Sequence, residues 1–275
     1  MKFEGFTQYT KKPNTISCGT LFTKQVELPF SIERKRTLRV WLPEDYDGKK
    51  RFPVFYFSDG QNIVDRYTSA YGDWELDDRI HEYIELGHQG VIIVGLDCPI
   101  EVELRTAEYL PYLEDNKLLS MKHKPYGDEL ADFFVNEIKT LIDETFLTKR
   151  DREFRGFGGS SMGGLFSFYI VNKYPNVFGM SLSFSPAFIF HRKRYADNYI
   201  KSIAHNNVRI AFYCGGEGRL EKKILSSSIH WYKKLLHYGF KNENVNLIIN
   251  KELPHNEKSW SKYVIPSLLF LLKNY

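Results

Sequence analysis

The sequence predicts an α/β protein with a mostly parallel central sheet, helices on both of its faces and an antiparallel strand pair ahead of the parallel part. Three observations carry that prediction. Short apolar runs alternate with longer amphipathic segments along most of the chain. The runs at 53–57 and 90–96 are continuously apolar, as strands covered on both faces are. The stretch 154–164, FRGFGGSSMGG, reads as a strand that turns sharply through glycines into an apolar helix.

The elements follow in order. Residues 1–18 show no strong periodicity and read as an irregular leader. Two strand-like runs follow at 21–28 and 36–42, the second alternating with period two. Pro43 and Asp45-Tyr46-Asp47-Gly48 then make a turn. The buried strand at 53–57 ends in Ser58-Asp59-Gly60-Gln61-Asn62, the kind of strand-to-helix turn where function concentrates in open α/β sheets. A helix is expected over 74–86, closed by Gly87, and a strand over 90–96. Residues 97–127 form a long polar and aromatic connection, either a solvated loop or the wall of a pocket. From 128 to 143, Leu130, Phe133, Phe134, Ile138, Leu141 and Ile142 recur at helical spacing. After the 154–171 strand and helix come strands at 180–184, 208–214 and 245–249. A helix at 220–238 ends at Gly239, and a terminal helix runs through 268–272.

Composition sets the bounds. The chain has 275 residues with no linker, low-complexity run or internal repeat, so one domain over 1–275 is expected. A hydrophobic share of 43% and a charged share of 26% are ordinary for a globular protein. The formal charge of +4 is mild; short basic runs such as Arg34-Lys35-Arg36 and Arg192-Lys193-Arg194 read as solvated faces, and no nucleic-acid partner is expected. Three widely spaced cysteines, Cys18, Cys98 and Cys214, make neither a disulfide framework nor a metal pattern. With no apolar signal region and no 18-residue apolar window, a membrane span is not expected and the cytoplasm is the expected compartment.

The chemistry centres on Gly159-Ser160-Ser161-Met162-Gly163. A G-x-S-x-G sequence between a strand and a helix makes a nucleophile elbow, with glycines two residues either side so that strand and helix can approach. Only Ser161 has both glycines in register, and it is the candidate nucleophile. His255, after the last strand, is the candidate base. An acid is expected in the turn after the 208–214 strand: Glu217 is preferred for its position directly after that strand, with Glu221 as the alternative. Ser, acid and His then occur in the order found in the α/β-hydrolase fold, each at the carboxyl end of an expected strand. The backbone N–H groups of Gln61 and Met162 are the candidate oxyanion hole.

These residues sit in a wider set of motifs. Asp59-Gly60-Gln61-Asn62, Tyr71-Gly72-Asp73-Trp74-Glu75-Leu76-Asp77, Arg105-x-x-Glu108-Tyr109-x-Pro111, Gly158 to Gly164, Phe184-Ser185-Pro186-Ala187 and His255-Asn256-Glu257-x-x-Trp260 occur in that order. Together, over roughly 20–272, they resemble the putative-esterase family of the α/β-hydrolase superfamily, whose relatives include esterase D, enterochelin esterases, feruloyl esterases and mycolyltransferases. The resemblance implies a serine carboxylesterase with Ser161 as nucleophile, His255 as base and Gln61 and Met162 at the oxyanion hole. Within the same motifs Asp59, Asn62, Arg105 and Trp260 are the expected substrate contacts. The family's acid lies in a glycine-rich turn that is one residue shorter here, at Gly215-Gly216-Glu217-Gly218.

The leading expectation is hydrolysis of a small or medium acyl ester through an acyl-Ser161 intermediate, with no metal and no organic cofactor. Neither a zinc H-E-x-x-H nor a phosphate-binding G-K-[ST] motif occurs. Acyl transfer to a sugar or other alcohol is the alternative, and a non-catalytic binding protein on the same fold is a third.

Overall fold

Among the described residues nine strands hydrogen-bond into one sheet: β1 (Thr7–Gln8), β2 (Thr20–Glu27), β3 (Lys35–Leu42), β4 (Val54–Phe57), β5 (Ile92–Leu96), β6 (Arg155–Ser160), β7 (Met180–Phe184), β8 (Arg209–Cys214) and β9 (Val245–Ile249). Their order across the sheet is β1-β2-β3-β5-β4-β6-β7-β8-β9. The computed structural model describes residues 2–69, 72–111, 122–191 and 193–273. β1, β2 and β3 run antiparallel to their neighbours, while β5, β4, β6, β7, β8 and β9 are parallel. The expected antiparallel pair is therefore three strands, because Thr7–Gln8 of the leader adds an edge strand to β2.

Alternation along the strands divides the core in two. Val54 and Tyr56 of β4 pack on one face with Ile92, Val94, Phe157 and Phe212; Phe55 and Phe57 pack on the other with Ile93, Leu182, Phe184 and Tyr213. Successive side chains of a strand point to opposite faces, so a strand buried on both sides has no polar position and reads as a continuous apolar run.

Helices cover both faces. α1 (Leu76–Glu85) and, near the C-terminus, Val264–Leu271 lie on the Phe55/Phe57 face. The opposite face takes α3 (Gly127–Phe133) with its continuation α4 (Lys139–Thr145), α5 (Met162–Lys173) and α7 (Gly218–His237). Also present are α2 (Val102–Tyr109), α6 (Lys193–Ile203) and α8 (Glu257–Ser261); the Val264–Leu271 helix is α9. A π segment, Phe134–Ile138, joins α3 to α4. Its cause is visible in the spacing of Leu130, Phe134, Ile138 and Ile142, all buried. Steps of four overshoot a 3.6-residue turn, and the wider π turn takes up the overshoot so that all four stay inward.

The 97–127 connection departs from expectation where α2 forms. Its inward residues are Leu104, Ala107, Glu108 and Tyr109, and the glutamate in that face hides the amphipathic pattern. Glu108 is buried because Arg36 sits on it at 2.7 Å, with Ser31 Oγ (2.7 Å) and Tyr126 Oη (3.2 Å) donating to the same oxygen. Residues 112–121 of that connection, Tyr71 and Arg192 lie outside the described residues. Among the described residues no helix is long and apolar enough to cross a membrane.

Candidate active site

The parallel strands deliver the turns that follow them to one edge of the sheet. The turn from β6 into α5 is the sharpest. Ser161 stands between the last strand residue and the first helical one at φ 57°, ψ −121°, a conformation that costs a non-glycine residue about 1–3 kcal/mol. It is pinned by three hydrogen bonds: its N–H donates to Phe184 O (3.0 Å), and its carbonyl accepts from Leu165 N (3.1 Å) and Ala187 N (2.9 Å). Gly159 and Gly163 are what bring strand and helix this close. A Cβ on Gly159 would stand 2.6 Å from the Gly163 carbonyl oxygen, and one on Gly163 would stand 2.1 Å from Ser58 Oγ.

His255 lies in the loop after β9. That loop is stitched to the turn after β8 by the Gly216 and Glu217 N–H groups, which both donate to Leu253 O (3.0 and 3.1 Å). His255 Nδ1 faces Glu221 Oε2 at 2.5 Å. The other oxygen of Glu221 accepts from Ser185 Oγ (2.6 Å) and from Gly215 N (2.7 Å). Burial alone pushes this carboxyl up, but the hydrogen bonds from His255 and Ser185, the charge of His255 and the Gly215 N–H outweigh it and hold the group below the ordinary carboxylate range.

The expectation that Glu217 partners His255 is therefore corrected. Helix α7 begins at Gly218, so Glu217 is its N-cap and its side chain is exposed. Glu221, one turn in, is 1% exposed. Side chains of a helix lean toward its N-terminus, which here means back toward the end of β8 and the His255 loop.

Ser185, within the Phe184-Ser185-Pro186-Ala187 motif, is a site residue for which no role is expected from the sequence. At φ 42° it follows β7. Its N–H donates to Tyr213 O, and its hydroxyl donates to Glu221 while accepting from Trp260 Nε1 (3.0 Å). Trp260 also meets the His255 ring edge to face, with centroids 5.0 Å apart. Trp260 is an expected substrate contact, and its N–H is committed to holding the Ser185–Glu221–His255 chain in place.

On the other side of Ser161, the turn after β4 begins with Asp59 in the left-handed region (φ 55°) and continues as a single 3-10 turn, Gly60–Asn62. Asp59 and Arg105, expected as substrate contacts, bind each other: Arg105 Nε and Nη2 reach the two carboxylate oxygens at 2.6 and 2.7 Å. Tyr109 completes the clamp. Its hydroxyl accepts from Asp59 N (2.9 Å) and donates to Asp59 Oδ1 (3.3 Å). Gln61's side-chain amide is held by Cys98, whose N–H donates to Gln61 Oε1 at 3.1 Å. Asn62 donates through Nδ2 to Glu257 Oε1 at 3.4 Å.

Ser161, His255, Gln61, Asn62, Asp59, Arg105 and Trp260 all line one cavity of about 710 Å³. Its outer wall includes Pro99, Ile100 and Val102, and Ile100 is 94% exposed. Cys98 also lines it, but burial pushes its thiol well up, so it stays protonated and is a poor competing nucleophile.

A central sheet of this topology, with a strained serine at the β6–α5 turn and a histidine–carboxylate pair after later strands, is the α/β-hydrolase fold. The chain belongs to the "Putative esterase" family, whose model matches residues 30–231, and is an esterase by that membership. It is 27% identical over 250 residues to the uncharacterized protein YbbA of Bacillus subtilis strain 168, covering 86% of this chain and 92% of that one. Among solved structures, a mutant feruloyl esterase module from Clostridium thermocellum, complexed with sinapinate, superposes with a TM-score of 0.70 at 15% identity, covering 99% of this chain and 96% of the module. The ferric enterobactin esterase of Salmonella typhimurium superposes with a TM-score of 0.70 at 16% identity; 97% of this chain is covered, and it spans 59% of that enzyme. At such identities the likeness carries the fold.

Proposed function

We propose that the protein is a serine carboxylesterase cleaving a small or medium acyl ester through an acyl-Ser161 intermediate. The observation that carries the reading is His255, held by the buried Glu221, lining the same cavity as a serine in a strained turn. In the first half-reaction Ser161 Oγ bonds to the ester carbonyl carbon while His255 takes its proton. The tetrahedral intermediate then expels the alcohol, which leaves with that proton. In the second half-reaction His255 takes a proton from water, whose oxygen bonds to the acyl carbon; the acid departs and Ser161 regains its hydrogen. Glu221 presents the histidine in one orientation and offsets its positive charge at each proton transfer.

The carbonyl oxygen gains charge twice, and two backbone N–H groups are available to meet it. Met162 is the first residue of α5, where an N–H has no partner inside its own helix and the helix dipole favours negative charge. Gln61 is the middle residue of the short turn held by the Asp59–Arg105–Tyr109 clamp. The apolar wall at Pro99, Ile100 and Val102, exposed at Ile100 and Val102, suits an uncharged acyl group.

The test is hydrolysis of 4-nitrophenyl esters from acetate to octanoate, with fluorophosphonate labelling alongside. Turnover and labelling that both vanish in Ser161→Ala are expected. Undiminished activity in that variant would overturn the assignment.

A further inference from the structure

Most of the charge in the cavity cancels in place. Arg39 is paired in bidentate fashion with Asp97 (2.6 and 2.9 Å), and Arg105 with Asp59 (2.6 and 2.7 Å). Each arginine spends one edge of its guanidinium, Nε and Nη2, on a neighbouring carboxylate. Glu257 differs from the other acids of this cavity. It is 6% exposed, two residues beyond His255, and no ion pair reaches it among the described residues. Its hydrogen bonds there come from its own N–H and from Asn62 Nδ2, the latter long at 3.4 Å on Oε1. Oε2 has no donor from another described residue and is not among the fully enclosed unpaired atoms, and Glu257 lines the cavity.

From this we infer that Glu257 is a specificity residue for the alcohol half of the ester, taking a hydrogen-bond donor, an ammonium or a hydroxyl, on Glu257 Oε2. The inference rests on the serine-esterase reading. His255 must lie beside the leaving oxygen to return its proton, so a group two residues along the same loop faces the alcohol and not the acyl chain. A nearly buried carboxyl without a cation is costly until a donor arrives. Burial and the nearby Asp59 push its protonation up, while His255 and Arg105 oppose this more weakly. The cavity as a whole then selects an uncharged acyl group joined to a donor-bearing alcohol.

Matched butanoate esters test it. The 2-(dimethylamino)ethyl ester is compared with the 3-methylbutyl ester, and the 2-hydroxyethyl ester with the propyl ester; each pair has the same shape and differs in the donor. In the native protein kcat/KM should favour the donor-bearing member of at least one pair by about tenfold, the usual worth of a charge-assisted hydrogen bond. A preference in the first pair alone identifies an ammonium, in the second alone a hydroxyl. Glu257→Gln should bring the ratio close to one. A purely structural role for Glu257 would lower all four rates together and leave the ratio intact, which would overturn the inference. So would equal rates within both pairs in the native protein, a result that needs no variant. Hydrolysis of all four at equal rates leaves the serine-esterase reading standing; no hydrolysis of any, with no fluorophosphonate on Ser161, removes both.

Discussion

Glu221 and Glu217 are four residues apart and chemically identical, yet one is enclosed by three hydrogen-bond donors and the other faces solvent. Glu221→Gln should lower kcat by a hundredfold or more, as loss of the group orienting a catalytic histidine does, whereas Glu217→Gln should leave it within about twofold. Steady-state kinetics on one ester separates them, and the reverse order would move the acid. The same carboxyl has a pH signature. Its folded-state pKa is depressed below the ordinary 4.5, so its stabilisation is present above that value and is lost as pH falls through the lower folded one. Urea unfolding from pH 7 down to pH 3 should therefore show a shallower acid-side loss in Glu221→Gln than in the native protein. Arg105 carries a second test at this scale. Arg105→Gln leaves Asp59 buried and unpaired, which costs about 3 kcal/mol, and adding Asp59→Asn should recover most of it in the same unfolding measurement.

At the scale of elements, the β6–α5 turn depends on two glycines for different reasons. A methyl at Gly159 meets the Ser58 hydroxyl at 2.3 Å and also backbone, the Gly163 carbonyl group at 2.6–2.7 Å; a methyl at Gly163 meets mainly the Ser58 hydroxyl, which has no hydrogen-bond partner to lose among the described residues. Both Gly159→Ala and Gly163→Ala should destabilise, by about 1–3 kcal/mol. Adding Ser58→Ala should rescue Gly163→Ala and not Gly159→Ala, as read from thermal melting. This turn was legible in advance because glycine, serine and glycine at fixed spacing answer to local sterics. The acid was not. Which of two glutamates meets His255 depends on where α7 begins, and Gly218 starts it one residue after Glu217. Helix α2 was hidden for a related reason: its buried face contains Glu108, whose burial makes sense only with Arg36, 72 residues earlier in the chain.

The whole molecule has two apolar layers sharing one set of strands, since neighbouring residues such as Tyr56 and Phe57 belong to opposite layers. Neither layer can melt without the sheet. Trp231→Ala empties the stack on Phe188 (4.1 Å between centroids) and should cost about 3–5 kcal/mol; Leu268→Ala on the other face should cost about 2–5 kcal/mol. Both variants should move a single urea transition monitored by tryptophan fluorescence and circular dichroism. Two separate transitions would contradict the expectation of one domain over 1–275. By itself the sequence determined the fold class, the strand order of events along the chain, the strained serine and the histidine after the last strand, because apolar periodicity and turn sterics act over a few residues. Only the tertiary structure decided that Asp59 and Arg105 close on each other, that Trp260 and Ser185 brace Glu221, and that Glu257 is left facing the cavity without a cation. Those outcomes are contests between charges and donors brought together from separate turns of the sheet, and which partner each one finds is settled by distance in space, to which order along the chain is blind.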